Sequence, residues 1–372
     1  MRPESESRLL TAFMKVLAGQ RCATTLDLSE WDGVIRLARQ SRLLGVLAHR
    51  LRGAPIVWGQ LDERIVGHLQ SAMNYGAYRV HLVSVELDAL ERALPANLEV
   101  VLLKGAAYIA QNMPNARGRM PNDVDIMVRR ADLDATEAAL LGAGWAFEKH
   151  DAYDERYYRD WSHELPPMRF PGHGLEVDLH HAIAPVTSRV RTNTDLLFSA
   201  TQMCPSSRYA VLHPLDQIIH AVVHLFQDSD MIGRFRDLVD IDGLIRFHLV
   251  DETGWTALLE RARVHGADEL LWYALHYCSK WLATPLPNGL TLEGPHYLRQ
   301  RAMGWIFPQI CTPRLDATSK PLEFRAASAL GIVRYHWLRM PPALLFRHSV
   351  AKAWRALTVK RGSTSSVAER QG

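Results

Sequence analysis

The chain has 372 residues, 48% of them apolar and 22% charged, with a formal net charge of +3. That balance excludes disorder, collagen and coiled coil. A protein that coats nucleic acid usually carries more positive charge, so composition neither demands nor excludes such a partner.

At roughly 100–200 residues per domain, the length favours two domains over one or three. The four cysteines, Cys22, Cys204, Cys278 and Cys311, are dispersed and form no C-x-x-C pair. This argues against a structural zinc site or a disulfide scaffold, and reads as reduced thiols in a cytoplasmic protein. Met1 to Arg8 is polar, with no apolar signal core behind it, and no apolar run reaches the ~18 residues of a membrane span.

From Arg8 to about Leu94 the apolar residues recur at helical spacing. Ser29, before Glu30 and Trp31, predicts an N-cap, and Leu61 to Leu94 predicts one long helix or two. The pattern then changes. Leu98 to Leu103 is a short apolar run and predicts a buried strand. Lys104-Gly105 predicts a tight turn, followed by a short helix from Ala106 to Gln111. Asn112 to Asn122 is loop-like, Val124 to Val128 predicts a second strand, and Asp132 is placed to cap a helix from Leu133 to Leu141, with Gly142 and Gly144 at its C-cap. Met168–Phe170, Pro171–Gly174 and Leu175–His180 read as strand, turn and strand. After Pro205 helical spacing returns, over 212–226, 235–248, 255–264 and 269–282, and then to about Val359. The expected fold class is α+β. A helical region (1–94) and a C-terminal helical domain (205–361) flank a small mixed sheet (95–204), and a flexible tail (362–372) follows.

The chemistry concentrates in that core. Asp123 and Asp125 bracket Val124, and residues two apart on a strand share a face. Two carboxylates side by side call for a cation, and Mg²⁺, a hard ion shared between carboxylates and phosphates, suits them. Glu176, Asp178 and His180 alternate with Val177 and Leu179, so they too share one face. If this strand lies beside the first, the acids converge at one edge and can hold two ions that clamp a phosphoryl displacement. Lys104-Gly105, at a strand-to-helix junction, makes a phosphate cradle, with Arg117 and Arg119 in the loop that follows.

The segments Leu103-Lys-Gly-Ala-Ala107, Arg119, Asp123-Val-Asp125 and Val177-Asp-Leu-His180 resemble the signature of an uncharacterised bacterial nucleotidyltransferase family. That family belongs to the superfamily of DNA polymerase beta, whose usual Gly-Ser turn is here replaced by Lys104-Gly105. The likeness is specific over about 98–181 and looser over 205–250. It implies transfer of a nucleoside monophosphate from an NTP to an acceptor hydroxyl or phosphate, with release of pyrophosphate. By that likeness Asp123, Asp125 and Asp178 are the metal-binding and catalytic residues, with Mg²⁺ replaceable by Mn²⁺. Lys104, Gly105 and Arg119 bind the nucleotide, and Glu176 and His180 are additional candidates.

Other readings stay open at this point. A metal-dependent glycosyltransferase also uses D-x-D, and a scaffold or nucleotide sensor could keep the fold without the chemistry. The acceptor is open: a small molecule, an envelope or polysaccharide intermediate, a peptide or protein, or, less favoured, RNA. His220 and His224 lie at i, i+4 without the glutamate of H-E-x-x-H, and read as histidines that face the domain cleft or are satisfied in the core. Asp237 and Asp240 read as partners of Arg234 and Arg236, with lining an acceptor pocket as the sharper alternative. Phe324 to Ala368 holds eight basic residues and no acid. It reads as a solvated helix face, with anionic lipid or RNA contact as alternatives.

Overall fold

The computed structural model describes residues 4–147, 161–205, 207–227, 231–316 and 318–339. Most of the predicted basic C-terminal stretch and the predicted tail from Gly362 lie outside these residues. The chain opens with α1 (Glu4–Leu17), α2 (Leu28–Gln40), α3 (Leu44–Arg52), α4 (Pro55–Gly59) and α5 (Glu63–Ala93). The cap of α2 is Asp27, not Ser29. The Asp27 carboxylate accepts from Glu30 N at 2.8 Å and the Glu30 carboxylate accepts from Asp27 N at 3.2 Å. This reciprocal pair satisfies two otherwise orphaned amides, which a cap at Ser29 would not. The 61–94 pattern is a single 31-residue helix.

A seven-stranded mixed sheet follows, in the order β3-β4-β5-β2-β1-β7-β6. Its strands are β1 (Val101–Leu102), β2 (Asp123–Met127), β3 (Ala146–Phe147), β4 (Met168–Arg169), β5 (Glu176–His180), β6 (Gln202–Met203) and β7 (Ala210–Val211). The fold is therefore α+β, with helices flanking a small mixed sheet. The predicted strand over 98–103 is regular only at Val101 and Leu102, although Val100 O still accepts from Ala210 N. The predicted hairpin is present, with Met168 opposite Val177. β7 adds a strand beyond Pro205 that two residues of sequence do not announce, and it pairs in parallel with β1.

Two helices leave the sheet early: α6 (Lys104–Ala110) and α7 (Leu133–Ala143). The predicted turn at Lys104-Gly105 is absorbed into the start of α6. Asp132 does not cap α7 with its side chain, because it belongs to a short 3₁₀ turn that runs into the helix. Gly144 closes α7 with φ 110, as expected of a left-handed C-cap. Further helices among the described residues are α8 (Thr194–Ser199), α9 (Pro214–Gln227), α10 (Phe235–His248), α11 (Glu252–Val264), α12 (Asp268–Leu282), α13 (Tyr297–Cys311) and α14 (Leu322–Arg339). No helix among the described residues is long and apolar enough to cross a membrane. All four cysteines are free thiols.

Strand alternation decides what the sheet buries and what it presents. Val124, Ile126, Val177 and Leu179 enter the main apolar core, which runs from α1 to α14. Met127, on the other face, joins a smaller cluster with Val101, Leu103, Leu197 and Phe198. The acids of β2 and β5 stand on that second face.

Candidate active site

β2 and β5 pair in parallel, with Asp123 opposite Glu176, Asp125 opposite Asp178 and Met127 opposite His180. The two acidic segments, about fifty residues apart in sequence, thus share one sheet face. Asp125 is buried and doubly bonded: Lys104 Nζ donates at 2.7 Å, and His180 Nε2 lies 3.1 Å from the same oxygen. Burial opposes ionisation of Asp125, yet Lys104 and His180 hold its carboxyl well below the usual range. Asp178 is the opposite case. Burial first, then Asp125, Glu164 and Asp123, push its carboxyl well above the usual range. Its Oδ1 is buried without a hydrogen-bond partner.

Lys104 opens α6 with φ 42, an uncommon conformation for a residue with a side chain. From there its ammonium reaches Asp125. Burial opposes its charge, but Asp125 and Asp123 raise its pKa above the ordinary lysine value. Gly105 lies directly beneath Arg119, and a Cβ at Gly105 would collide with the Arg119 guanidinium. Arg119 is itself buried, with Nε donating to Asp240 at 3.1 Å. The loop that delivers it is seated by two glycines: Gly118, at φ 73, touches the backbone of Gly45 so closely that neither tolerates a Cβ.

These groups border a cleft of about 210 Å³, lined among others by Lys104, Arg119, Asp123, Asp178, Arg236 and Asp240. Of the predicted residues, Asp123, Asp125, Asp178, Lys104, Gly105, Arg119 and His180 are brought together. Glu176 is drawn away, its carboxylate paired with Arg169 at 2.6 Å. Arg117 is exposed and lines a different cavity, of about 830 Å³, on the far side of Asp240. That larger cavity contains none of the three carboxylates. Asp237 does pair with Arg234 and Arg236, as expected, but Asp240 pairs with Arg119, and both acids line the cleft. His220 and His224 are held well below the ordinary imidazole range by burial, then by Lys104, and His224 borders the cleft.

Several cleft residues escaped the sequence reading. Glu164 joins the lining, and its backbone bridges His180, although nothing in Trp161–Pro166 gives a strand signal. Arg42, at the α2–α3 junction, sits within the field of Asp123. Burial, then Arg236, holds its guanidinium below the ordinary value, with Asp123 opposing and Arg234 and Arg79 adding to the effect. Lys104, Arg119, Arg234 and Arg236 line the cleft beside its acids.

The donor set, two carboxylates and an imidazole, suits a divalent cation. Asp125, Asp178 and His180 each offer a ligand atom, all within 4.8 Å of one another. The unpartnered buried Asp178 Oδ1, beside a second carboxylate, is what such an ion would satisfy.

The model of a family described as uncharacterised nucleotidyltransferase matches residues 27–283. Among solved structures, the chain is similar to an antigenic nucleotidyltransferase-like protein from Paracoccidioides brasiliensis. The two are 16% identical, with 56% of this chain and 96% of that chain covered and a TM-score of 0.27. No curated protein matches.

Proposed function

This chain belongs to the uncharacterised nucleotidyltransferase family, and from that premise we propose that it transfers a nucleoside monophosphate from an NTP to an acceptor oxygen with the help of Mg²⁺. The observation that carries this reading is the pairing of Asp125 with Asp178 across β2 and β5, with Asp178 Oδ1 buried and unpartnered.

Asp123, Asp125 and Asp178 are the residues that would hold Mg²⁺, and Mn²⁺ could replace it. When bound, such ions neutralise phosphate oxygens and favour in-line displacement. Lys104 and Arg119 form the cationic wall on which the triphosphate lies, and Gly105 keeps room for the Arg119 guanidinium. Arg234 and Arg236 extend that wall along the cleft. The acceptor oxygen attacks the α-phosphorus, its proton passes to the Asp178 carboxylate, and the α–β bridging bond breaks to release pyrophosphate. Asp125, held ionised by Lys104 and His180, keeps its charge throughout.

The test uses α-labelled NTPs, Mg²⁺ and a cell extract. Wild-type protein should label a recoverable acceptor, and Asp123→Asn should lose that labelling while remaining folded. Equal labelling by both proteins would remove Asp123 from the site. NTP binding without pyrophosphate release would favour a nucleotide sensor instead.

A further inference from the structure

Beside the three carboxylates, a second set of ligand-type side chains shares His180 with them: His163 and Glu164 have no part in the reaction above, and His180 enters it only through its Nε2 contact with Asp125. His163 and Glu164 lie on a short segment that runs antiparallel to the end of β5. Glu164 bridges His180, Leu165 N donates to Leu179 O at 2.9 Å, and His181 N donates to His163 O at 2.8 Å. These backbone bonds fix three side chains around one point. Glu164 Oε2 lies 3.4 Å from His180 Nδ1 and 3.6 Å from His163 Nε2. The three ligand atoms lie within 4.8 Å of one another.

Two features of this cluster point to a ligand. First, His180 is about 1% exposed and its Nδ1 has no hydrogen-bond partner, although it faces the Glu164 carboxylate. Buried polar atoms are rarely left this way. Second, the 3.4 and 3.6 Å separations are long for hydrogen bonds but fit a shared centre. Ligands about 2.0–2.1 Å from a tetrahedral zinc ion lie about 3.3–3.4 Å from each other.

The tautomer of His180 also fits. A metal on Nδ1 requires the tautomer whose proton is on Nε2, and that tautomer donates to the Asp125 oxygen 3.1 Å away. A histidine whose far nitrogen donates to a carboxylate is the usual arrangement around a bound metal. We propose that His163, Glu164 and His180 form a second metal site, for a transition metal of the zinc class. Two imidazoles and one carboxylate select such an ion over Mg²⁺, which prefers oxygen alone. A cavity of about 80 Å³, bordered by Val223, His224, Gln227 and Arg339, adjoins it and leaves room for a water as fourth ligand. The site would then lock His180 in the orientation that holds Asp125, and it stands whether or not the protein transfers nucleotides.

The test is Co²⁺ titration of the full chain in excess Mg²⁺, followed by visible absorption, with Zn²⁺ affinity measured by chelator competition. One equivalent should bind and give a tetrahedral cobalt spectrum. His163→Ala and Glu164→Gln should each weaken binding by at least about 100-fold, since losing a ligand costs no less than losing its outer-shell partner. Asp123→Asn should leave the spectrum intact, and thermal melting should show all variants folded. No cobalt spectrum in the wild type, or an unchanged one in Glu164→Gln, overturns the proposal. So does loss of binding in Asp178→Asn with retention in His163→Ala, which would place the metal among the carboxylates.

Discussion

Asp125 and Asp178 face each other across two strands, yet their environments set them apart. Lys104 and His180 claim Asp125, while Asp178 keeps a buried oxygen with no partner. Asp178→Asn should therefore lower the turnover of NTP at least about 100-fold while changing the nucleotide Kd only a few-fold. Steady-state kinetics beside equilibrium binding checks this, and equal losses in both would take Asp178 out of the chemical step. Gly105 is tied to a different pair. A methyl group at Gly105 strikes the Arg119 guanidinium, so Gly105→Ala should strain the Arg119–Asp240 pair and cost about 1–3 kcal/mol. Urea unfolding measures this, and an unchanged midpoint would mean that Arg119 moves aside freely. The acids themselves were legible in the sequence, because D-x-D and V-D-L-H place like charges on one strand face. The Arg119–Asp240 pair was not, since its partners lie 121 residues apart and each has a nearer candidate partner.

Among the elements, periodicity succeeded where a segment was long enough to repeat. β5 and β2 alternate for five residues each, and α10 spans the predicted Phe235–His248. β6 and β7, two residues each, carry no period and were invisible. The Trp161–Pro166 segment failed for the same reason, although it supplies Glu164 to the cleft. The helices behind the sheet are joined by charges that the sequence did not reveal. Asp216 of α9 accepts from Arg261 of α11 through both oxygens, at 2.6 and 2.5 Å, and lies 3.3 Å from His265. Removing one partner of such a buried pair costs about 3 kcal/mol, the expectation for Asp216→Asn. Burial opposes ionisation there, but Arg261 and His265 hold the carboxyl below its ordinary value. The contribution is therefore fully present above the ordinary carboxylate pKa and is lost as pH falls through the lower folded-state value. Urea midpoints of wild type and Asp216→Asn should converge below about pH 4. A gap that persists in acid would show that the loss is one of packing rather than charge.

At the scale of the whole molecule, the cleft is assembled from two parts of the chain. Lys104, Asp123 and Asp178 come from the sheet and its first helix, and Arg236 and Asp240 from α10, while Arg42, between α2 and α3, lies outside the lining but within the field of Asp123. Every one of these residues falls within 27–283, the stretch that matches the family. The helices that follow the sheet are thus walls of the site rather than appendages, which the sequence did not disclose because a wall is defined by packing and not by a motif. The most direct measurement is the anomalous scattering of Mn²⁺ in crystals grown with a non-hydrolysable NTP analogue. The account predicts manganese within about 2.2 Å of carboxylate oxygens of Asp123, Asp125 and Asp178 and of the triphosphate. Manganese found elsewhere, or a triphosphate bound with no metal at these three residues, would contradict it.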